Sequence, residues 1–193
     1  MGTQVSDAAD LAVLQAVRLK GRVGRAELTD TVDGLIASGL LTDGAWVRLT
    51  DDGRARLAGL LAAERATVDP EAVNHLYERF LVVNAGFKPL ISQWQLERAS
   101  AGVDGAAAVL AKIDELHRDV LPVIASASGL VPRLGAHADR LDAALQRAHG
   151  GDMSWLTRPM VDSYHTVWFE LHEELIGLAG RTRATEAEAG SAD

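Results

Sequence analysis

The sequence predicts a mainly α-helical protein in which an N-terminal helix–turn–helix half with a small β element precedes an antiparallel α-helical bundle. Apolar residues recur at intervals of three and four along most of the chain, which is the spacing of one helix face. Segments with glycine or proline interrupt this spacing and separate the predicted helices. One stretch near residue 47 instead has strand-forming residues beside a turn.

Composition and charge exclude several classes of protein. The 19 Lys and Arg residues against 27 Asp and Glu give a formal net charge of −8, which excludes a globally basic nucleic-acid-binding surface. The absence of cysteine excludes disulfides, thiolate nucleophiles and cysteine-based metal sites. The segment GTQVSDAAD lacks the features of a signal peptide, and no apolar run approaches roughly 18 residues. We therefore expect a cytoplasmic protein that does not enter a membrane.

Residues 11–39 have the pattern of two helices separated by a turn. Leu11, Leu14 and Val17 approximate helical spacing, and Asp7 or Asp10 is the expected N-cap of this first helix. Two glycines in GRVGRAEL interrupt the pattern. The stretch TDTVDGLIASGLL then predicts a short second helix that ends at Gly39.

A short strand and a capped helix follow this pair. Residues 46–49 (WVRL) are expected to form the strand after a turn at Asp43-Gly44. Thr50 is the expected N-cap of a helix that begins at Asp51. Residues 1–66 therefore form the first predicted domain.

The order of these elements resembles a winged-helix module, and GLLTDGAWVRLTDDGRARL is similar to the wing and following helix of MarR-type regulators. The resemblance covers about the first 65 residues and implies a DNA-binding transcriptional regulator, usually a dimer. Two departures weaken the implied function. Only 16 positions run from Arg25 to Leu40, which shortens the predicted reading helix. Its expected face, residues 29–34, has two carboxylates and no Lys or Arg, so phosphate would be repelled.

A basic cluster in this half supports two interpretations. Residues 1–66 contain eight basic and nine acidic groups, a balance of −1, which is unlike a DNA-binding domain. The cluster either contacts phosphate or is an ordinary solvated face. Its members are Arg18, Lys20, Arg22 and Arg25, with Arg48 on the predicted wing.

The second predicted domain, residues 67–181, has the pattern of a helical bundle. Asp69 is an expected N-cap followed by Pro70 in the first turn. Each predicted helix has one apolar stripe, and short loops join them, so antiparallel packing is expected. The first bundle helix is expected to break at Gly86 and Pro89, with a shorter helix over 91–96. A third helix is expected to be capped by Asp104 and kinked before Pro122. A fourth helix is expected from Pro132 to Gly150, and a last one from Thr157 to Gly180. Residues 182–193 are predicted to be a disordered tail.

The last predicted helix contains VDSYHTVWFELHEEL, in which two histidines fall among the apolar residues. On a helical projection His165 and His172 lie inside the apolar arc, whereas Glu170, Glu173 and Glu174 lie opposite. Histidines seven positions apart are separated by roughly 10.5 Å along the axis, which disfavours a shared metal ion. No metal site and no cofactor are therefore predicted.

Buried imidazoles require hydrogen-bond partners from another helix. Asn84 lies in the apolar row of the first bundle helix, and we expect it to bond to one or both of His165 and His172. Trp94 and Trp168 are expected to flank this network. It is either a core network that sets the helix register or a ligand pocket in the bundle.

A second resemblance covers the C-terminal half. The stretch RPMVDSYHTVWFELHEELIGLAGR, preceded by YERFLVVN and ISQWQ, resembles the C-terminal region of actinobacterial winged-helix proteins and the helical tail of pyruvate phosphate dikinase-associated proteins. The resemblance implies an appended non-catalytic module with a regulatory or interaction role. It carries over no catalytic residue.

Three hypotheses of function follow. The first is a non-catalytic winged-helix protein that binds a protein partner or a small-molecule effector, with the aromatic-rich last helix as a candidate homodimer interface. The second is a DNA-binding regulator of MarR-like type that binds duplex DNA through the basic cluster. The third, an enzyme that uses the histidines, is disfavoured because the sequence has no recognisable nucleophile motif.

Overall fold

The computed structural model describes residues 2–28, 30–98 and 100–182, with side chains from residue 7 onward. Over these residues the protein is mainly helical and contains a small antiparallel sheet of two strands. The mainly helical class agrees with the prediction from the sequence. It divides into two compact units, residues 1–67 and residues 68–193. Within the described residues, none of the helices combines the length and the apolar character needed to cross a membrane.

The described part of the N-terminal unit contains three α-helices, both strands and a 3-10 turn at Arg25–Glu27. The helices are α1 (Gly2–Lys20), α2 (Thr31–Ala37) and α3 (Asp51–Arg65), and the strands are β1 (Val23–Gly24) and β2 (Trp46–Val47). The strands are antiparallel with Val23 opposite Val47, and an isolated bridge joins Leu41 to Leu49. The apolar core of this unit comprises Leu11, Val13, Leu14, Val17, Val23, Val32, Leu35, Leu41, Val47, Leu49, Leu57 and Leu60.

Local signals explain several of these boundaries. The Thr50 side chain accepts a hydrogen bond from the Gly53 amide, so the predicted cap of α3 is confirmed. Gly39 has a φ of 72° just after α2, a left-handed conformation that favours glycine. Gly53 lies against the Leu40 backbone, where an added Cβ would be 2.0 Å from the carbonyl oxygen. Any larger residue at position 53 would therefore displace α3.

Two expectations for this unit were wrong. Asp7 and Asp10 do not cap α1, because the helix begins at Gly2 and both lie inside it. Strand β2 covers Trp46–Val47, whereas the predicted strand ran to residue 49. The partner strand β1 is only two residues long, too short for hydrophobic periodicity to indicate.

The second unit, where the structure describes it, is built from four α-helices. They are α4 (Pro70–Glu97), α5 (Gly102–Leu130), α6 (Ala136–His149) and α7 (Tyr164–Leu178), with 3-10 turns at Pro132–Gly135 and Met153–Leu156. Asp69 caps α4 by accepting from the Glu71 amide, as predicted. Gly150 follows the end of α6, also as predicted. The core lies between the helices and includes aromatic residues of α4 and α7.

The predicted interruptions at proline do not occur. α4 continues through Gly86 and Pro89, and α5 continues through Pro122. Each proline removes one helical hydrogen bond, but the residues four positions earlier, Ala85 and Arg118, are exposed, so water can satisfy their carbonyl groups. Packing along both helices then preserves their continuity.

The starts of two helices also differ from expectation. α5 begins at Gly102, so Asp104 lies in its first turn and is not its N-cap. α7 begins at Tyr164 and is capped by Ser163, seven residues after the predicted start at Thr157. The preceding turn includes Met160 in a left-handed conformation with a φ of 64°. The predicted tail, apart from Thr182, lies outside the described residues.

Helix α7 is buried on nearly all sides rather than along one stripe. Ten of its 15 residues are buried, including Glu170 and Glu174. Both α4 and α6 pack against α7, so opposite faces of the helix are covered. The helical projection placed Glu170 and Glu174 opposite the apolar arc, and the structure buries this opposite side of α7 as well. The helix therefore does not present an exposed aromatic face for a dimer.

Candidate functional site in the helical unit

The core between α4 and α7 contains a series of aromatic rings in mutual contact. The rings of Phe87 and Trp168 are stacked with centroids 4.1 Å apart, and Phe80 lies 5.7 Å from Trp168. The imidazole of His172 lies 5.0 Å from the Phe80 centroid. The Tyr164 ring lies 5.8 Å from that of Phe87 and 6.0 Å from that of Trp168. These residues fill the space in which an effector pocket was predicted.

Two hydrogen bonds between α4 and α7 involve residues of this aromatic series. The Trp168 indole Nε1 donates to Asn84 Oδ1 at 2.8 Å. Tyr77 Oη and His172 Nε2 are 3.3 Å apart, so the phenol and the imidazole share a hydrogen bond. Asn84 therefore meets an indole of α7, whereas the predicted partner was an imidazole of that helix. The interhelical polar network exists with different pairing from the one expected.

The five predicted residues are not equivalent in the structure. His172 and Trp168 are fully buried and Asn84 is buried, but His165 is only half-buried and its ring lies 6.2 Å from that of Phe87. Trp94 is buried ten positions beyond Asn84 on α4, roughly 15 Å along the axis. Trp94 therefore does not flank the network around Asn84.

A layer of partly buried ion pairs joins the other face of α7 to the rest of the unit. Arg140 donates from Nε to Asp162 at 2.9 Å and from Nη2 to Glu170 at 2.6 Å. Arg133 donates to Glu174 at 2.7 Å. Glu170 and Glu174 are four positions apart on α7, which is the one signal in the sequence for a shared face. The two arginines offset the cost of burying these carboxylates.

The charge state of Arg140 is maintained by its partners. Burial lowers the pKa of this guanidinium, but the hydrogen bond to Asp162 and the charge of Glu170 outweigh burial, and the pKa is raised overall. The side chain of Arg140 is 28% exposed and that of Glu170 only 3%. The guanidinium therefore stays charged, and its contact with Glu170 links α6 to α7.

His137 lies beside these ion pairs and is held neutral. Its Nδ1 donates to the Leu134 carbonyl oxygen at 3.1 Å, and Nε2 is buried with no hydrogen-bond partner among the described residues. Burial is the main cause of a lowered pKa, and the cations Arg140 and Arg133 add to it against the opposing effect of Glu174. Protonation of His137 would place an unpaired charge in the core.

The lowered pKa predicts a loss of stability in mild acid. The unfolded chain takes up a proton near pH 6.5, whereas folded His137 resists it, so the free energy of unfolding should fall as the pH drops below about 6.5. His137→Asn, which keeps a donor near the position of Nδ1, should weaken this dependence between about pH 7.5 and 5.5 in urea titrations. Exposed His75→Asn is the matched control. An equal acid dependence in wild type and His137→Asn would contradict the assignment.

Two other titratable groups of the core, His117 and Tyr164, also have pKa values shifted by burial. His117 Nδ1 and Tyr164 Oη are 3.3 Å apart, and burial lowers the pKa of His117 and raises that of Tyr164 far above its usual range. Both groups are therefore uncharged at neutral pH. The described residues contain no group of three or more His, Asp or Glu side chains placed to hold a metal ion.

An open groove lies on the outer side of α4 and α5. Its volume is about 460 Å³. The lining residues are Gly86, Pro89, Leu90 and Gln93 of α4 with Lys112, Glu115, Leu116 and Asp119 of α5. None of the five residues predicted to form the polar network lines it. Sequence reasoning missed the groove because it interpreted Gly86 and Pro89 as a break in the helix.

Part of the basic cluster of the N-terminal unit is neutralised within the protein. Arg25 donates to Asp33 at 2.6 Å and to Asp43 at 2.8 Å, and the hydrogen bond to Asp33 is the main cause of its raised pKa. The Arg22 guanidinium lies 5.0 Å from the ring centroid of Trp46, which is exposed. Arg25 is therefore held between two carboxylates.

The other cationic side chains of the cluster are at the surface. Arg18 donates to Gln15 at 2.9 Å along α1. Arg18, Lys20 and Arg48 are all exposed. Arg48 has no ion-pair partner in the part of the chain that the structure describes.

Comparison of the chain with protein-family models, with curated proteins and with solved structures finds no match in any of the three. The resemblance to MarR-type regulators and to dikinase-associated tails therefore stays a prediction.

Proposed function

We propose that this chain is a non-catalytic regulatory protein that acts by binding a partner, with the helical unit supplying the binding surface and the N-terminal unit a winged-helix module. The observation that carries this proposal is the exposed face of α4 beside the groove. Between Arg79 and Glu97 the helix has one charged residue, Lys88, although Val82 is 78% exposed and Leu96 is 85% exposed. An exposed helix face normally has many charges, and an uncharged one is typical of an interaction surface.

The interior of the helical unit supports binding over catalysis. The imidazole of His172 contacts Tyr77 and Phe80, and the carboxylates of Glu170 and Glu174 contact arginines. Side chains that could transfer protons are thus engaged in holding helices together. A catalytic acid or base needs access to substrate, which these buried groups lack. The same filling of the core favours a protein partner over a small-molecule effector bound near Asn84.

Duplex DNA binding is the second candidate, because one observation favours it. Arg22, Lys20 and Arg48 are exposed, and Trp46 adds an exposed aromatic ring beside Arg22. Opposing this, α2 has seven residues and carries Asp33, while Arg25 is engaged with two carboxylates. Few cations therefore remain for phosphate contacts.

Fluorescence anisotropy with labelled duplex DNA tests the proposal against this candidate. We expect no binding at low salt, about 50 mM, where phosphate contacts are strongest. Binding that falls steeply with salt, and that Arg22→Ala with Arg48→Ala weakens, would replace the proposed function by DNA recognition. Arg54→Ala, which removes an exposed arginine of α3 from a surface ion pair with Asp51, is the matched control.

A further inference from the structure

We propose that the exposed face of α4 and α5 binds a second copy of this chain in an antiparallel arrangement. The proposal rests on the proposed function, because it names the partner of the same uncharged face. The face is self-complementary in two independent respects: the spacing of its uncharged residues and the position of its charges. A two-fold axis through the groove would satisfy both.

The uncharged residues on this face form a regular seam, which we name the α4 stripe. It consists of Val82, Gly86, Pro89, Gln93 and Leu96, at intervals of four, three, four and three. All five are exposed. Seven-residue steps along a helix drift by only about 20°, so Val82, Pro89 and Leu96 lie in one line on its surface. This spacing is that of residues which pack against a second helix.

The α4 stripe is symmetric about Pro89. Val82 and Leu96 each lie seven positions from it, so two antiparallel copies that cross at Pro89 bring Val82 of each copy opposite Leu96 of the other. A two-fold interface requires this property, because each contact occurs twice. Gly86 lies one turn from the centre, and its lack of a side chain lets a second helix approach closely.

The charges of α5 have the same symmetry. Lys112 and Asp119 line opposite ends of the groove, and both are exposed without an ion-pair partner in the described chain. They are seven positions apart, so the midpoint between them falls at residues 115–116. The groove is lined on α4 by residues from Gly86 to Gln93 and on α5 by residues from Lys112 to Asp119, so Pro89 and residues 115–116 both lie near the middle of its lining. The centres of the two patterns therefore lie in the same groove.

A two-fold axis at this point pairs the charges between copies. Reversal of the α5 direction places Lys112 of each copy opposite Asp119 of the other, which gives two symmetry-related ion pairs beside the α4 contact. The resulting assembly is a four-helix packing of two α4–α5 hairpins.

Sedimentation velocity of the full chain tests the proposal. We expect a species of twice the 20.5 kDa chain mass at micromolar concentration. Val82→Glu and Leu96→Glu should each raise the dissociation constant by at least about tenfold, because each puts two charges into the apolar seam. Val103→Glu, also at an exposed apolar position but outside the stripe, should leave it unchanged.

Charge reversal distinguishes self-association from any other occupant. Lys112→Asp and Asp119→Lys should each weaken the dimer, whereas the two together in one chain should restore it. A mixture of the two single variants should form a one-to-one heterodimer, because each then offers the charges that the other lacks. Restoration has no explanation if the face binds a different protein.

Disulfide trapping locates the axis, since the chain has no native cysteine. Pro89→Cys should form a covalent dimer on mild oxidation because the two thiols meet at the axis. Gln95→Cys, exposed on another side of α4, should not. Three results would overturn the proposal: the wild type stays monomeric at about 100 μM, Val82→Glu leaves the dissociation constant of the dimer unchanged, or both cysteine variants form the covalent dimer equally well. A monomer that also fails to bind DNA would leave the proposed function standing with another partner.

Discussion

Trp168→Ala should lower the free energy of unfolding by about 3–5 kcal/mol, the largest effect expected for a single substitution in this protein. The side chain is fully buried and contacts Phe80 and Phe87 of α4. Its removal leaves a cavity between α4 and α7 and deprives Asn84 of its donor. Urea denaturation followed by circular dichroism would measure the loss as a lower midpoint.

Two matched variants separate the components of this loss. Trp168→Phe keeps most of the ring volume and removes the indole N–H, so it should cost only about 1–3 kcal/mol from the unsatisfied Asn84 oxygen. Trp46→Ala removes a tryptophan side chain that is 51% exposed. Apart from the loss of its contact with Arg22, this substitution should lower the free energy of unfolding by less than about 1 kcal/mol. Equal losses for Trp168→Ala and Trp46→Ala would refute the assignment of Trp168 to the core.

Arg140→Leu should lower the free energy of unfolding by about 3 kcal/mol, because it leaves Glu170 buried without its arginine. The effect should lie at the lower end of the range for fully buried pairs, since Arg140 is itself partly exposed. Urea titrations of wild type and variant at neutral pH would measure this loss.

The corresponding surface pair provides the comparison. Arg54 donates to Asp51 at 2.6 Å, but both side chains are exposed, so Arg54→Ala should cost no more than about 1 kcal/mol. Arg140→Leu combined with Glu170→Leu should recover part of the loss, because no uncompensated charge then remains. If Arg140→Leu costs as little as Arg54→Ala, the Arg140 pair contributes nothing to the link between α6 and α7.

Local chemistry was sufficient to predict the helix starts at Thr50 and Asp69, because a capping side chain bonds within its own helix and needs no tertiary partner. The same local reasoning failed at Pro89 and Pro122. There it counted the lost hydrogen bond but not the packing of long helices against each other, which outweighs one missing bond. Strand β1 was missed because a two-residue strand has no periodicity.

The polar network between α4 and α7 shows which properties of a site a residue pattern can predict and which it cannot. An amide in an apolar row predicted that Asn84 is buried and bonded across the bundle, and both statements agree with the structure. The pattern could not select Trp168 over His172 as the partner, because that choice depends on how α4 and α7 are aligned. The burial of Glu170 was missed for a related reason: its partner Arg140 comes from another helix.

The sequence by itself determined the mainly helical class, the approximate positions of most helices, the short β element and the absence of cysteine chemistry. These properties follow from residue spacing and capping, which act over a few positions of the chain. Only the tertiary structure decided which groups meet. It paired Asn84 with Trp168 and buried α7 on opposite faces. It also left the α4 stripe exposed, because burial depends on which helices pack together and not on the sequence of one helix alone.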